Sequence, residues 1–221
     1  MISDNLAAIR HKIKFALENS GRESNSCTLI GVSKTKPLSQ LKEAFHLGLR
    51  DFGENYVEEF SSKCKEYSPS ELNYHFIGRL PTKKVRKVVG NSQLIHSVSS
   101  LKLAKKIDFV ANEEGLIQEI LIQINQGDES SKSGFSNDIG NYFEELLSLS
   151  NVKILGLMSI PPFTEPARPF FVSLRKLRNG LENQFNIKLP YLSMGMSGDF
   201  EEAIAEGSTH VRIGTSIFGK R

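Results

Sequence analysis

The sequence predicts an α/β protein built as a single (β/α)8 TIM barrel, with one extra helix at its N-terminus. Three observations carry that prediction. Short apolar runs alternate with longer amphipathic segments along the whole chain, which is the signature of βαβ units and a parallel sheet. Eight such runs can be counted, and most are apolar at successive positions, as strands covered on both faces must be. The length, 221 residues, suits one barrel domain spanning 1–221, and no repeat, low-complexity tract or linker divides it.

Taken in order, residues 4–19 place Ile9, Ile13 and Phe15-Ala16 at helical spacing and form the leading helix. The strands are predicted over 27–33, 51–54, 74–78, 94–98, 120–125, 154–158, 191–194 and 210–214. Helical patterns over 39–47, 55–66, 101–114, 139–148 and 168–184, with a short one at 200–204, supply crossovers between them.

Composition narrows the function classes. There are 28 Lys+Arg against 25 Asp+Glu, a net charge of +3 with no charged tail, which is too weak a field to argue for nucleic acid. The densest basic run, Lys83, Lys84, Arg86 and Lys87, reads as a solvated helix face. Cys27 and Cys64 fit no metal-binding or redox spacing, so no metal site is expected and two reduced thiols are. Residues 1–5 lead straight into a charged helical pattern, not a secretory leader, and no apolar stretch approaches the ~18 residues of a membrane span. A cytoplasmic protein is expected.

In a barrel of this kind the chemistry sits at the C-terminal ends of the strands. Strand one ends in Ser33-Lys34-Thr35-Lys36-Pro37, strand two in Gly53-Glu54-Asn55-Tyr56, and the last two in Ser193-Met194-Gly195-Met196-Ser197-Gly198-Asp199 and Arg212-Ile213-Gly214-Thr215. Lys34 immediately follows a buried strand and would point into the barrel mouth, where desolvation favours the neutral amine needed for Schiff-base chemistry. An ion pair with Glu54, or snorkelling to solvent, accounts for its position equally well. Lys36, beside Pro37, belongs to the start of the next helix and is the weaker candidate. The last two loops commonly hold a phosphate in such barrels, and both carry hydroxyls, glycines and, in Arg212, a charge. Helix capping by Ser197 and an ordinary turn at Gly214 are the plainer alternatives. The absence of GxxxxGK[ST] and GxGxxG sequences removes support from nucleotide folds.

Several of these segments, in this order, resemble one family nearly end to end. They are Val32-Ser33-Lys34-Thr35-Lys36-Pro37, Phe52-Gly53-Glu54-Asn55-Tyr56, His75-Phe76-Ile77-Gly78, Gln123-Ile124-Asn125, 129–134, Gly156-Leu157-Met158, 192–197 and 207–215. The chain is similar to the pyridoxal 5′-phosphate homeostasis proteins, single-domain relatives of the alanine racemase barrel. The resemblance implies that Lys34 holds the cofactor aldehyde as an internal aldimine, while Ser197, Arg212, Gly214 and Thr215 hold its phosphate. It places Asn55 beside the ring, and Met196, with Ile77 and Met158 as floor, around the pocket. Lys132 matches a family lysine that could dock departing cofactor, although an exposed loop lysine is the simpler reading. The chain departs from the family at Pro81 and Lys83, where Gln and Asn are usual, and at Ser99, where an aspartate often stands.

The same resemblance bears on catalysis. Alanine racemases draw a second acid–base group, a tyrosine, from a further domain, and no such domain is expected here. The expectation is therefore a non-catalytic monomer that buffers pyridoxal phosphate and passes it transiently to apo-enzymes. A small racemase or lyase using Tyr56 or His75 remains an alternative, as does a Schiff-base aldolase using Lys34. His75 by itself reads as a structural histidine.

Overall fold

A computed structural model describes residues 1–127, 133–136 and 138–219. Helix α1 (Ile2–Asn19) buries Ile2, Leu6, Ile9, Ile13, Ala16 and Leu17, whose spacing of three and four residues makes one apolar stripe. Eight strands follow: β1 (Thr28–Val32), β2 (Asp51–Glu54), β3 (Asn73–Phe76), β4 (Leu94–Val98), β5 (Gln118–Ile124), β6 (Val152–Ser159), β7 (Tyr191–Ser193) and β8 (His210–Ile213). All neighbours pair in parallel, in the order β1 to β8, and β1 pairs with β8 to close the barrel.

The connections are α2 (Leu38–His46), α3 (Val57–Glu66), α4 (Leu101–Glu113), α5 (Gly140–Leu147), α6 (Arg168–Phe185) and α7 (Phe200–Ala205), with a short α8 (Thr215–Phe218) after β8. α1 lies against α7 and α8, where Asn5 Nδ2 donates to the Ile217 carbonyl at 3.0 Å. Between β3 and β4 the crossover is a 3-10 helix, Thr82–Lys87, not an α-helix. This is the basic run, and three of its four charges are paired: Lys84 and Lys87 share Glu58 at 2.9 and 2.5 Å, and Arg86 pairs with Glu113. The solvated-face reading holds, on a tighter helix than expected.

The core has two compartments. The larger lies between strands and helices, where Phe60 of α3 meets Phe76 of β3 edge-on at 5.6 Å. The smaller is inside the barrel and consists of Leu94, Leu121, Leu155 and Met158, with Ile160 and Tyr191 against it. These residues fill only the side formed by β4, β5 and β6. Apart from Ile30 and Val32 of β1, the rest of the interior is largely polar: Asp51, His75, His96, Ser193, His210 and Arg212. Branched aliphatics usually fill such a barrel, so this polar filling needs a reason, and Arg212 at its upper end supplies one.

Candidate functional site

A cavity of about 590 Å3 opens at the C-terminal ends of the strands. Lys34, Asn55, Met196, Ser197, Arg212, Gly214 and Thr215 all line it, with Ile77. The structure thus brings together residues from the β1, β2, β7 and β8 ends that lie up to 181 positions apart.

Lys34 is half-buried in a short loop fixed from both sides. Ser33 Oγ donates to Glu54 Oε1 at 2.6 Å, and Lys63 Nζ, reaching in from α3, donates to the Ser33 carbonyl at 2.8 Å. Thr35 takes a left-handed conformation, φ 62°, and its N–H donates to Glu59 Oε1 at 2.8 Å. A non-glycine residue in that region stores strain that its surroundings must hold. Lys63 Nζ also bonds Glu54 and Glu59, both at 2.7 Å, so one buried ammonium ties the loop to α3. Ser33 and Lys63 thus share Glu54 Oε1, while Oε2 is buried without a hydrogen-bond partner among the described residues. Burial raises its carboxyl above the usual range despite the Lys63 ammonium that pulls it down.

Asn55 forms the wall beside Lys34. Its backbone is pressed against Gly78, where an added Cβ would lie 2.0 Å from the Asn55 carbonyl oxygen, so only glycine fits there. Its Oδ1 is buried without a hydrogen-bond partner among the described residues. Such an orphaned acceptor costs free energy unless a ligand completes it.

The far side is built by the loops after β7 and β8. Asp199 Oδ1 accepts from the Met196 N–H at 2.6 Å, and Arg212 N–H donates to the Gly195 carbonyl at 3.0 Å. Thr215 Oγ1 donates to Ser197 Oγ at 3.3 Å, joining the two loops at the cavity. Asp199, not Ser197, is the cap residue of α7, which leaves the Ser197 hydroxyl for the cavity. Arg212 is buried, and its described side-chain partners are neutral: Ser193 Oγ at 2.6 Å and the Ser159 carbonyl at 2.9 Å. Burial lowers its pKa to about 10 against the pull of Asp199, so it remains a cation at neutral pH.

Other expectations divide. Met158 belongs to the apolar cluster inside the barrel and does not line the cavity, because β6 turns it toward Leu94 and Leu121. His75 is bound to Asp51 and His96 inside the barrel, and Tyr56 is half-exposed, away from the cavity lining, so neither reaches a bound ligand there. Lys132 lies outside the described residues. Burial pushes the thiols of Cys27 and Cys64 up to about 11 and about 12, which makes both poor nucleophiles. The segment after β6, Ile160, Pro161, Pro162, Phe163 and Glu165, forms a whole side of the cavity that the sequence reading did not find. Its signal was Pro161-Pro162-Phe163, a stiff turn carrying a phenylalanine that is 86% exposed.

A strand-end lysine facing a hydroxyl- and glycine-lined floor with a buried arginine defines a class: barrels built to take a small carbonyl compound that bears an anionic group. Comparison with known proteins narrows it. The family of the alanine racemase N-terminal domain matches residues 5–221. A pyridoxal phosphate homeostasis protein of Aquifex aeolicus is 44% identical over 99% of this chain and 97% of its own. The structure of PipY of Synechococcus elongatus PCC7942 with pyridoxal phosphate bound is 34% identical, covers 99% of this chain and all of that one, and superposes with a TM-score of 0.88. An alanine racemase of Clostridium difficile shares the fold, with a TM-score of 0.74 at 16% identity, and this chain covers 57% of it. The chain belongs to the pyridoxal phosphate homeostasis protein family.

Proposed function

We propose that this chain binds pyridoxal 5′-phosphate at Lys34 and holds it reversibly, serving cofactor homeostasis and delivery without catalysing a reaction of its own. The observation that carries this reading is the convergence of Lys34, Asn55, Met196, Ser197, Arg212, Gly214 and Thr215 on one cavity. The residues present fit the group. An orphaned Asn55 Oδ1 and an arginine among neutral partners both call for a polar, anionic ligand. At Gly214 a Cβ would press on the Val32 carbonyl oxygen at 3.2 Å, so the backbone there stays bare for a close approach.

The cofactor, when bound, supplies an electrophilic aldehyde and a phosphate. Lys34 contributes the amine, and the Ser33–Thr35 clamp from α3 keeps it directed at the cavity. Ser197, Gly214 and Thr215 hold the phosphate, Arg212 adds a fixed cation, Asn55 stands beside the ring, and Met196 and Ile77 pack against its apolar parts. Amino-acid chemistry on the cofactor needs a second, well-placed acid or base. The described lining contains no tyrosine, histidine or cysteine; of its carboxylates, Asp199 is engaged with the Met196 N–H, and Glu165 and Glu202 are exposed to solvent. That favours a carrier in the cytoplasm whose partners are apo-enzymes met transiently.

The test is an absorption spectrum of the protein with pyridoxal phosphate, before and after borohydride, followed by peptide mass analysis. A visible band that borohydride removes, with the added mass on Lys34 and neither in Lys34→Ala, is expected. Ser197→Ala should weaken uptake of pyridoxal phosphate while leaving uptake of pyridoxal, which has no phosphate, unchanged. Added mass on a different lysine would overturn the site, and exchange of an amino acid α-proton would overturn the non-catalytic reading.

A further inference from the structure

Below the cavity floor, four polar side chains run in a line from Arg212 to the opposite mouth of the barrel. Arg212 Nη1 meets Ser193 Oγ at 2.6 Å, Ser193 Oγ meets His96 Nδ1 at 2.8 Å, His96 Nε2 meets His75 Nδ1 at 3.1 Å, and His75 Nε2 meets Asp51 Oδ1 at 3.0 Å. They come from β7, β4, β3 and β2, and Arg212 from β8, so the line crosses the barrel as well as descending it. Asp51 opens β2 and therefore lies at the N-terminal end, away from the cavity.

With both histidines neutral, the proton inventory admits one self-consistent arrangement. A guanidinium only donates, so Ser193 Oγ accepts from it and turns its own hydrogen to His96 Nδ1. His96 then carries its proton on Nε2 and donates to His75 Nδ1. His75 in turn carries its proton on Nε2 and donates to the Asp51 carboxylate. The reverse order sets a histidine lone pair against an ionised carboxylate. Asp51 is held below the usual carboxylate range: burial pushes it up, but the hydrogen bonds it accepts from His75 and Asn73 outweigh that. His96 is held neutral, well below the ordinary histidine value, by burial and then by the neighbouring His75, His210 and Arg212.

We propose that Asp51, His75, His96 and Ser193 form a positioning relay in which every donor points from Arg212 to Asp51, fixing the guanidinium at the cofactor cavity. This rests on the cofactor-binding reading above. The relay joins a cation to an anion through neutral groups, so both end bonds are charge-assisted and each link polarises the next. It also explains the polar side chains inside the barrel: a buried arginine without a carboxylate hydrogen-bonded to it is tied to one through the intervening groups. The remaining N–H groups of Arg212 are thereby kept for the cavity.

Histidine 15N spectra of cofactor-stripped protein, together with titration by pyridoxal phosphate, test this on the wild type, Asp51→Asn, Ser193→Ala and Ser193→Thr. In the wild type both His75 and His96 are expected as single neutral tautomers protonated on Nε2. Ser193→Ala should weaken cofactor binding about tenfold, as for one lost charge-assisted bond, and Ser193→Thr should restore it. Asp51→Asn, remote from the cavity and with its side chain 22% exposed, keeps the shape but removes the anion. It should scramble the His75 tautomer and also weaken binding. Protonation of either histidine on Nδ1 in the wild type overturns the relay. So does binding by folded Ser193→Ala and Asp51→Asn within twofold of wild type. A wild type that takes up no cofactor overturns the underlying reading instead, and the two failures are distinct because the tautomers are read without cofactor.

Discussion

Acidification should destabilise this protein well before its surface carboxylates titrate. His96 and His210 are buried inside the barrel, His96 among His75, His210 and Arg212, and His210 near His75, Asp51 and Arg212. Burial above all, with the Arg212 cation nearby, lowers His210 to about 3 and His96 well below its ordinary value of 6.5. For a base with a lowered folded pKa, the unfolded chain binds the proton first, so stability falls as pH drops through 6.5 and keeps falling toward the folded value. Two such histidines give a slope of up to about 2.7 kcal/mol per pH unit. Glu54 works in the opposite direction, because its raised pKa lets the folded state take up a proton that the unfolded chain releases above 4.5. It subtracts at most one proton, and because the unfolded histidines are only half protonated at pH 6.5 the net loss between pH 6.5 and 5 is about 1–3 kcal/mol. Against a typical stability of about 5–15 kcal/mol that loss is large. Urea unfolding at pH 7.5, 6.5, 5.8 and 5 measures it directly. A midpoint that stays constant or rises between pH 6.5 and 5 would refute the burial of neutral histidines in the barrel.

Two substitutions probe the walls of the site. Lys63→Met leaves Glu54 buried beside Ser33 alone and should cost about 3–5 kcal/mol in urea unfolding, as breaking one side of a buried ion pair does. It should also weaken cofactor uptake, since the strained Thr35 loop loses its anchor; unchanged stability would show that Lys63 is dispensable. Gly78→Ala must move the Asn55 backbone, because its Cβ would lie 2.5 Å from the Asn55 Cα. Weaker cofactor binding, with a larger effect than at open Gly198→Ala, is the expected result of parallel titrations, and equal effects would dismiss the packing argument.

What was legible in the sequence was whatever depends on near neighbours. Eight apolar runs gave the strand count, and strand ends gave Lys34, Asn55, Ser197, Arg212, Gly214 and Thr215, because in a parallel barrel all strand ends meet at one face. Boundaries were less visible. β6 runs from Val152 to Ser159, longer than its apolar stretch, because Gly156 sits at a shift of register opposite Leu121 that periodicity alone does not reveal. The 3-10 crossover was hidden because Thr82–Lys87 shows one buried residue, Val85, too few for a helical period.

What stayed hidden depends on pairs far apart in the chain. His96 and Ser193 are 97 residues apart and each looks ordinary alone, a histidine and a serine in apolar strands. Only closure of the barrel sets β4 against β7 across its interior and turns both side chains inward. The same holds for Lys63, which reads as an exposed helix lysine and is in fact buried, because Glu54, Glu59 and the Ser33 carbonyl face it together. In both places a charge inside the fold is compensated at least in part by partners that no local window contains, and in both the charge ends at a cavity residue or its loop: Arg212 on one side, Lys34 on the other. The strand ends supply the groups that face the ligand, and the closed barrel with its surrounding helices supplies what holds those groups in place.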